Sequence, residues 1–329
     1  MDATSRANAT TSFPTRPLWR RMLPAPVRST GRPLVHVWQR FRAQRKTKLY
    51  ERELERERNK ILSGATPIVQ DVHGFRFVVY PFDQPNLLTL VKRAADIADF
   101  QAIPHMVKPG DTTFDIGANV GIYSVLLSQL CGSIGRVWAF EPVPDTYWRL
   151  RENLALNRCG NVIAVQSAVC EKDGTAQINL FDAHFSEWNS LGMPSMFDRD
   201  GSRISPRQSI DVPACTLDQF CASEKIERVN FLKVDVEGFE LSVFRGAERL
   251  LKEHRVDYVC FEISQESLKG AGVGSRQVFE ALERYGYPSY GLDRATGTFY
   301  GPIRDTSEEW MNFYASTKDL TNYRPQVSP

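Results

Sequence analysis

Four short stretches of the chain end in acids. "TTFDIGANVG" carries Asp115 two residues before Gly117, "VWAFEP" carries Glu141, "LKVDVEG" carries Asp235 and Glu237, and "VCFEIS" carries Glu262. Each acid closes an apolar run of strand length, so each reads as a carboxylate at the carboxyl end of a strand. In an open α/β sheet that edge binds ligands, near the point where the strand order reverses.

The turn after Asp115 narrows the choice of ligand. A phosphate cradle relies on free backbone N–H groups, and a negative side chain beside it works against the anion. A dinucleotide asks for G-x-G-x-x-G, whereas "GANVG" lacks the second glycine. S-adenosylmethionine has no phosphate and carries an ammonium and a sulfonium, so an acid beside the turn makes electrostatic sense. Glu141, about two dozen residues further on, can accept hydrogen bonds from both ribose hydroxyls. Gly117 and Gly121 let the backbone approach a nucleoside, and the helix starting near Val120 adds its N-terminal field. The plainer reading of Asp115 is a side chain that ties up N–H groups of its own turn.

Asp235 and Glu237 fall beside this pocket, where crowded acids raise one another's pKa and can make a general base. Asp235 is the first candidate and Glu237 the second; Glu237 and Glu240 also suit a helix N-terminus. Asp235, Glu237 and Glu262 could instead hold Mg²⁺ through hard oxygen ligands, although the expectation is a site without a metal. His184 reads as a solvent-facing loop residue. "GAGVGS" at Gly270–Ser275 lacks the lysine of a P-loop and reads as a loop beside the site.

The elements that must position these groups alternate from Gly110 onward. Strands are expected near Thr113–Asp115, Arg136–Phe140, Val162–Ser167, Asn230–Asp235 and Asp257–Ile263, with helices over Ile122–Leu130, Asp145–Asn157 and Leu241–Glu253. That is a parallel sheet with helices on both faces. "DGTAQINLFD" and "QSIDVPACTL" read as extra strands flanking a long polar insertion at 183–207, a candidate lid or substrate wall. Before the sheet, "PIVQDVHGFRFVVYPF" reads as two strands around His73-Gly74, followed by a helix over Leu87–Phe100. After it come a helix and a hairpin turning near Ala295–Gly297.

The chain has 329 residues and a formal charge of +2, unevenly spread. Residues 1–62 hold fifteen Lys/Arg against five Asp/Glu, a basic segment of +10 that leaves the rest at −8. Residues 1–33 read as disordered and Leu34–Leu62 as a helix with a short apolar stripe, which packs on the body or rests on an anionic membrane surface. Nucleic acid is disfavoured as a partner because the basic residues sit in that segment and not on the body. No run reaches the length of a membrane span, and no uninterrupted apolar stretch suggests a secretory signal. Six cysteines without CxxC spacing read as free thiols, which suits a cytoplasmic protein with peripheral membrane contact as an option.

The stretches "PGDTTFDIGANVGIYSVLLSQL", "GRVWAFEPVPDTYWRLRENLALN" and "FLKVDVEGFELSVFRGAERLL", with "YVCFEIS", resemble the FkbM family of S-adenosylmethionine-dependent methyltransferases. The resemblance spans roughly Lys108 to Gln265. It implies the class I methyltransferase fold, a Rossmann-like seven-stranded sheet whose last strand is antiparallel. It also implies S-adenosylmethionine as cofactor, bound by Asp115, Gly117, Asn119, Gly121, Glu141, Pro142 and Ser167, and O-methylation of a hydroxyl on a sugar, glycolipid or other small natural product. The organisation expected is a basic segment 1–62, strands and a helix over 63–107, a methyltransferase domain over 108–305 and a tail over 306–329. The competing readings are a nicotinamide-dependent oxidoreductase on a similar sheet and a non-catalytic binding module recruited by its basic segment.

Overall fold

Short apolar runs, buried on both faces, pair into one large sheet, and the helical stretches cover both its faces. The computed structural model describes residues 68–72, 74–80, 99–181, 189, 191 and 205–323. The basic segment 1–62, His73, His184 with most of the 183–207 insertion, and most of the helix expected over Leu87–Phe100 lie outside the described residues.

In chain order, a hairpin of β1 (Ile68–Val72) and β2 (Phe75–Val79) precedes helix α1 (Asp99–Met106). Then come β3 (Thr112–Ile116), α2 (Ile122–Cys131), β4 (Arg136–Phe140), α3 (Pro144–Leu156) and β5 (Val162–Val165). A short β6 (Ala168–Val169), β7 (Gly174–Leu180) and β8 (Gln208–Cys215) form a separate three-stranded sheet in the order β6-β8-β7. The chain returns through α4 (Leu217–Ser223) to β9 (Val229–Val234), α5 (Glu240–Arg245), α6 (Glu248–Lys252) and β10 (Val256–Ser264). It ends with α7 (Gln265–Gly270), α8 (Ser275–Glu283), β11 (Ser289–Leu292), β12 (Phe299–Ile303) and β13 (Trp310–Ala315).

The main sheet has the order β12-β11-β13-β10-β9-β3-β4-β5. β5, β4, β3, β9 and β10 are parallel neighbours, whereas β13 runs antiparallel between β10 and β11. The chain moves outward from β3 to β5 and returns at β9, so the order reverses between β3 and β9. The carboxyl ends of those two strands flank the crevice where such sheets bind ligands.

This is the class I methyltransferase arrangement with two corrections. The sheet has eight strands, not seven, because both strands of the expected hairpin, β11 and β12, extend its edge. The segment 306–329 is not only a tail: "WMNFYA" is β13, and five of its six residues are buried. A further difference lies in the helix expected over Leu241–Glu253, which divides into α5 and α6 at Gly246–Ala247. A Cβ on Gly246 would lie 2.1 Å from the Cys170 carbonyl oxygen, so the chain closes on the small sheet at that break.

Side-chain alternation divides the core between the two sheet faces. Phe114, Ile116, Leu232, Val234, Phe261 and Phe313 pack with α5, α6 and α8 on one face. Phe231, Cys260 and Tyr314 pack with α1, α2 and α3 on the other. The β1–β2 hairpin docks on α3, where Asn153 and Asn157 side chains accept from the Val78 and Arg76 N–H groups at 2.9 and 2.8 Å. All six cysteines are free thiols. Among the described residues no helix is long and apolar enough to cross a membrane.

Candidate active site

Register places a line of polar side chains across the α1–α2 face of the sheet. Asp115 on β3 lies opposite Lys233 on β9, Lys233 opposite Cys260 on β10, and Glu262 on β10 opposite Asn312 on β13. Polar groups in such a position need partners, because an unmatched buried polar group is destabilising. The partners come from the helices. Ser124 on α2 donates to Asp115 Oδ2 at 2.5 Å. Asp99, buried at the start of α1, accepts from Asn312 Nδ2 at 2.7 Å, from the Tyr123 hydroxyl at 3.3 Å and from the Tyr314 hydroxyl.

The turn after β3 is built from left-handed residues, with φ of 78° at Gly117, 48° at Asn119 and 93° at Gly121. Four of its N–H groups are already engaged. Gly117 and Ala118 both donate to the Phe140 carbonyl, Gly121 donates to Ala118, and Asn119 donates to Glu141 Oε2 at 3.0 Å. Glu141 Oε1 accepts from the Val143 N–H at 2.9 Å, so this carboxylate fastens the turn after β3 to the turn after β4. Two of the glycines are also required by the packing of the chain itself. A Cβ on Gly117 would lie 1.8 Å from the Asp235 carbonyl oxygen, and one on Gly121 would lie 2.7 Å from Leu150 Cδ1. The chain itself fills both spaces.

Burial raises the proton affinity of these acids. It pushes Asp115 up to about 6, against the Ser124 hydrogen bond and the Lys233 charge. It pushes Glu141 up to about 7, against the Val143 and Asn119 N–H groups. Asp115 is only 1 % exposed and turns to Ser124, so its charge acts from behind the turn.

The second cluster forms where β9 and β10 end. Lys233, fully buried, reaches Asp235 Oδ2 and Asn312 Oδ1, both at 3.2 Å, and lies 4.9 Å from the centre of the Tyr123 ring. Burial opposes its charge, but Asp235 and the neighbouring acids outweigh that and hold its pKa above the ordinary lysine value. Glu237 has φ 50° and accepts from the Ser267 hydroxyl at 2.8 Å. Glu262 is 5 % exposed, and burial together with Asp235 and Glu237 holds its carboxyl well above the usual range. Oxygens of Asp235, Glu237 and Glu262 lie within 4.8 Å of one another. Glu240 Oε1 accepts from the Val236 and Gly238 N–H groups, while its Oε2 is buried without a hydrogen-bond partner.

Of the residues singled out in sequence, Asp115, Gly117, Asn119, Gly121 and Glu141 gather at the first two strand ends, with Pro142 adjoining. Asp235 and Glu237 stand at the end of β9, joined through the Gly117–Asp235 contact. Ser167 follows β5 but turns inward, donating to the Ala168 and Pro213 carbonyls at 3.0 and 3.1 Å. Sequence reasoning passed over Lys233, although a lysine two residues before Asp235 in an apolar strand must share its face. It also passed over Asp99 and Asn312, which are brought to the site from 213 residues apart in the chain. On the same rim, at the start of β13, a cleft of about 520 Å³ is lined by Asp293, Arg294, Tyr300, Glu308 and Trp310 among others. Tyr300 and Trp310 are 47 % and 45 % exposed.

Residues 115–289 match the methyltransferase FkbM domain. The chain is 27 % identical over 220 residues to the hexuronic acid methyltransferase AglP of Haloferax volcanii, covering 66 % of this chain and 80 % of that protein. It is 25 % identical over 191 residues to the 2-O-methyltransferase NoeI of Sinorhizobium fredii, covering 56 % and 76 %. Among solved structures, Aeropyrum pernix fibrillarin with bound S-adenosylmethionine aligns with a TM-score of 0.37 at 15 % identity, over 76 % of this chain and 82 % of that one.

Proposed function

The chain belongs to the FkbM methyltransferase family and is an S-adenosylmethionine-dependent methyltransferase, and we propose that its acceptor is a hydroxyl oxygen on a sugar, glycolipid or similar small natural product. The observation that carries this reading is the meeting of two carboxylate groups at the switch point: Asp115 and Glu141 at one side, Asp235, Glu237 and Glu262 at the other.

The first group fits the donor. Glu141 uses each carboxylate oxygen once within the chain, and a carboxylate oxygen can accept twice, so two acceptor positions remain for a vicinal diol. Asp115 supplies negative charge from behind the turn toward a cationic aminoacyl end. Gly117, Asn119, Gly121 and Pro142 shape the turn, and Ser167 closes the side beyond β5. A pyrophosphate fits poorly, because the N–H groups of Gly117, Ala118, Asn119 and Gly121 are committed internally. That counts against the nicotinamide alternative.

S-adenosylmethionine supplies an already activated methyl group. The protein's share is alignment, exclusion of water and removal of the acceptor's proton. In this reading the acceptor oxygen would bond to the donor's methyl carbon as the carbon–sulfur bond breaks, with the electron pair left on sulfur and the hydroxyl proton passed to a carboxylate. Asp235, ion-paired on its Oδ2 side and 27 % exposed, is the base in this reading, with Glu237 beside it. The exposed rings of Trp310 and Tyr300 offer a sugar a stacking surface at the same rim. The name of AglP, a hexuronic acid methyltransferase, supports an acceptor of that class.

For residues 1–62 the reading is peripheral contact with an anionic membrane surface, supported by the +10 charge, and the free thiols support a cytoplasmic location. Incubating the protein with methyl-labelled donor and fractionated glycans or glycolipids tests the acceptor. Label in an alkali-stable ether on a sugar oxygen supports the reading; label on nitrogen, on protein or on nucleic acid rejects it.

A further inference from the structure

We propose that Asp235, Glu237 and Glu262 bind one divalent cation of the magnesium or manganese type at the carboxyl ends of β9 and β10. The inference rests on the methyltransferase reading of the same rim and adds to it a ligand that the reading does not require.

The geometry comes from two strand ends. Alternation brings Glu262 to the face of β10 that carries Lys233 and Asp235 on β9, and the turn at Glu237 brings a third carboxylate back over them. One oxygen from each lies within 4.8 Å of the others. Oxygens on opposite sides of an ion stand about 4.2 Å apart around Mg²⁺ and about 4.8 Å around Ca²⁺, given metal–oxygen distances of about 2.1 and 2.4 Å. Small side-chain rotations therefore close the set without moving backbone. An all-oxygen set selects hard divalent cations over zinc.

An independent observation points to the same ligand. Glu262 is 95 % buried, and among the described residues no hydrogen-bond donor reaches its carboxylate, which converges on Asp235 and Glu237. Buried carboxylates are normally paired with a cation or coordinate a metal. Lys233 is spent on Asp235 Oδ2 and Asn312, leaving Asp235 Oδ1 without a donor among the described residues. The Ser267 hydroxyl holds Glu237 Oε2, the kind of supporting contact that orients a ligating carboxylate.

An ion here would stand where the acceptor hydroxyl arrives. It would take that oxygen as a further ligand and lower its pKa, with the proton leaving to a carboxylate oxygen or to water.

The test is a Mn²⁺ titration of chelator-stripped protein, reading free Mn²⁺ by electron paramagnetic resonance, with and without S-adenosylhomocysteine. The expected result is one site per chain, weakened about tenfold or more by Glu262→Gln and by Glu237→Gln. Glu237 is less buried than Glu262, so its variant keeps the test valid if Glu262→Gln fails to fold. Absence of stoichiometric Mn²⁺ at millimolar concentration, or a site unchanged in both variants, overturns the proposal. Methyl transfer continuing in excess chelator also overturns it while leaving the methyltransferase reading intact. Failure of S-adenosylhomocysteine to bind would instead count against the donor site.

Discussion

Lys233 and Asp235 point to the same face of the sheet, Nζ and Oδ2 3.2 Å apart, the ammonium wholly buried and the carboxylate 27 % exposed. A buried lysine thus holds a carboxylate at the mouth of the crevice. The same ammonium binds Asn312, which donates to Asp99, so the position of Asp235 depends on a chain of contacts reaching helix α1.

Replacing Lys233 by Met should therefore do more than remove a charge. Breaking a buried pair from one side typically destabilises by about 3–5 kcal/mol, and the partial exposure of Asp235 puts this case at about 3 kcal/mol. Urea unfolding measures it. Loss below about 1 kcal/mol would mean that the pair does not hold the strand end.

Asp235→Asn keeps an acceptor for Lys233 and removes the proposed base. The expected outcome is a fall in kcat of about 10²–10⁴, with donor affinity changed less than threefold, about 0.7 kcal/mol. Rapid-quench methyl transfer with the true acceptor and a parallel donor titration separate the two. Undiminished turnover would transfer the base role elsewhere.

On the proposed ribose contact, Glu141 should make donor binding pH-dependent. Its folded pKa of about 7 lies above the ordinary 4.5, so its contribution to the stability of the ligand-free protein is fully present below about 4.5 and is lost as pH rises through about 7. In the proposed contact the ribose hydroxyls donate to the ionised form, so donor affinity should move the other way, rising as pH passes through about 7. Calorimetry across pH 6–8 should show proton release on binding at the lower end, and Glu141→Gln should abolish it. A flat profile in the native protein would count against a ribose contact.

Gly117→Ala and Gly132→Ala form a matched pair. Both glycines have positive φ, but Cβ at 117 meets the Asp235 carbonyl at 1.8 Å whereas Cβ at 132 meets nothing within 4 Å. Gly132→Ala should show only backbone strain, about 1–3 kcal/mol. Gly117→Ala should lose more stability and nearly all activity, because the end of β9 must move. Equal effects in melting and turnover would remove the role given to this contact.

Trp310→Ala should raise the acceptor KM about tenfold while leaving donor affinity unchanged, since stacking on an exposed ring contributes about 1 kcal/mol or somewhat more. Steady-state kinetics with each substrate varied would show this. A change in donor KM alone would place the acceptor away from the cleft.

The centre of the sheet was legible because its strands are apolar runs ending in acids. Arg136–Phe140 was read to the residue, and Thr113–Asp115 fell inside β3. The edges were harder to read. β13 follows Glu308 and Glu309 and contains Asn312, which interrupts its aromatic run, although Asn312 is buried against Asp99 and Lys233. α1 contains Pro104, which reads locally as a helix breaker, and the helix persists because Ala102, Ile103 and Met106 pack into the core. In the site, the strand-end acids were visible as letters, but their division of labour was not. That Glu141 staples two turns, that Asp115 faces a helix serine and that no donor among the described residues reaches Glu262 depend on contacts across strands, which spacing along the chain does not record.

The most direct test is a crystal structure with S-adenosylhomocysteine bound. The ribose hydroxyls should lie within hydrogen-bond distance of Glu141, the aminoacyl end over the 117–121 turn in front of Asp115, and the sulfur facing Asp235. A nucleoside bound away from the ends of β3 and β4, or a Glu141 carboxylate free of any ribose contact, would contradict the account.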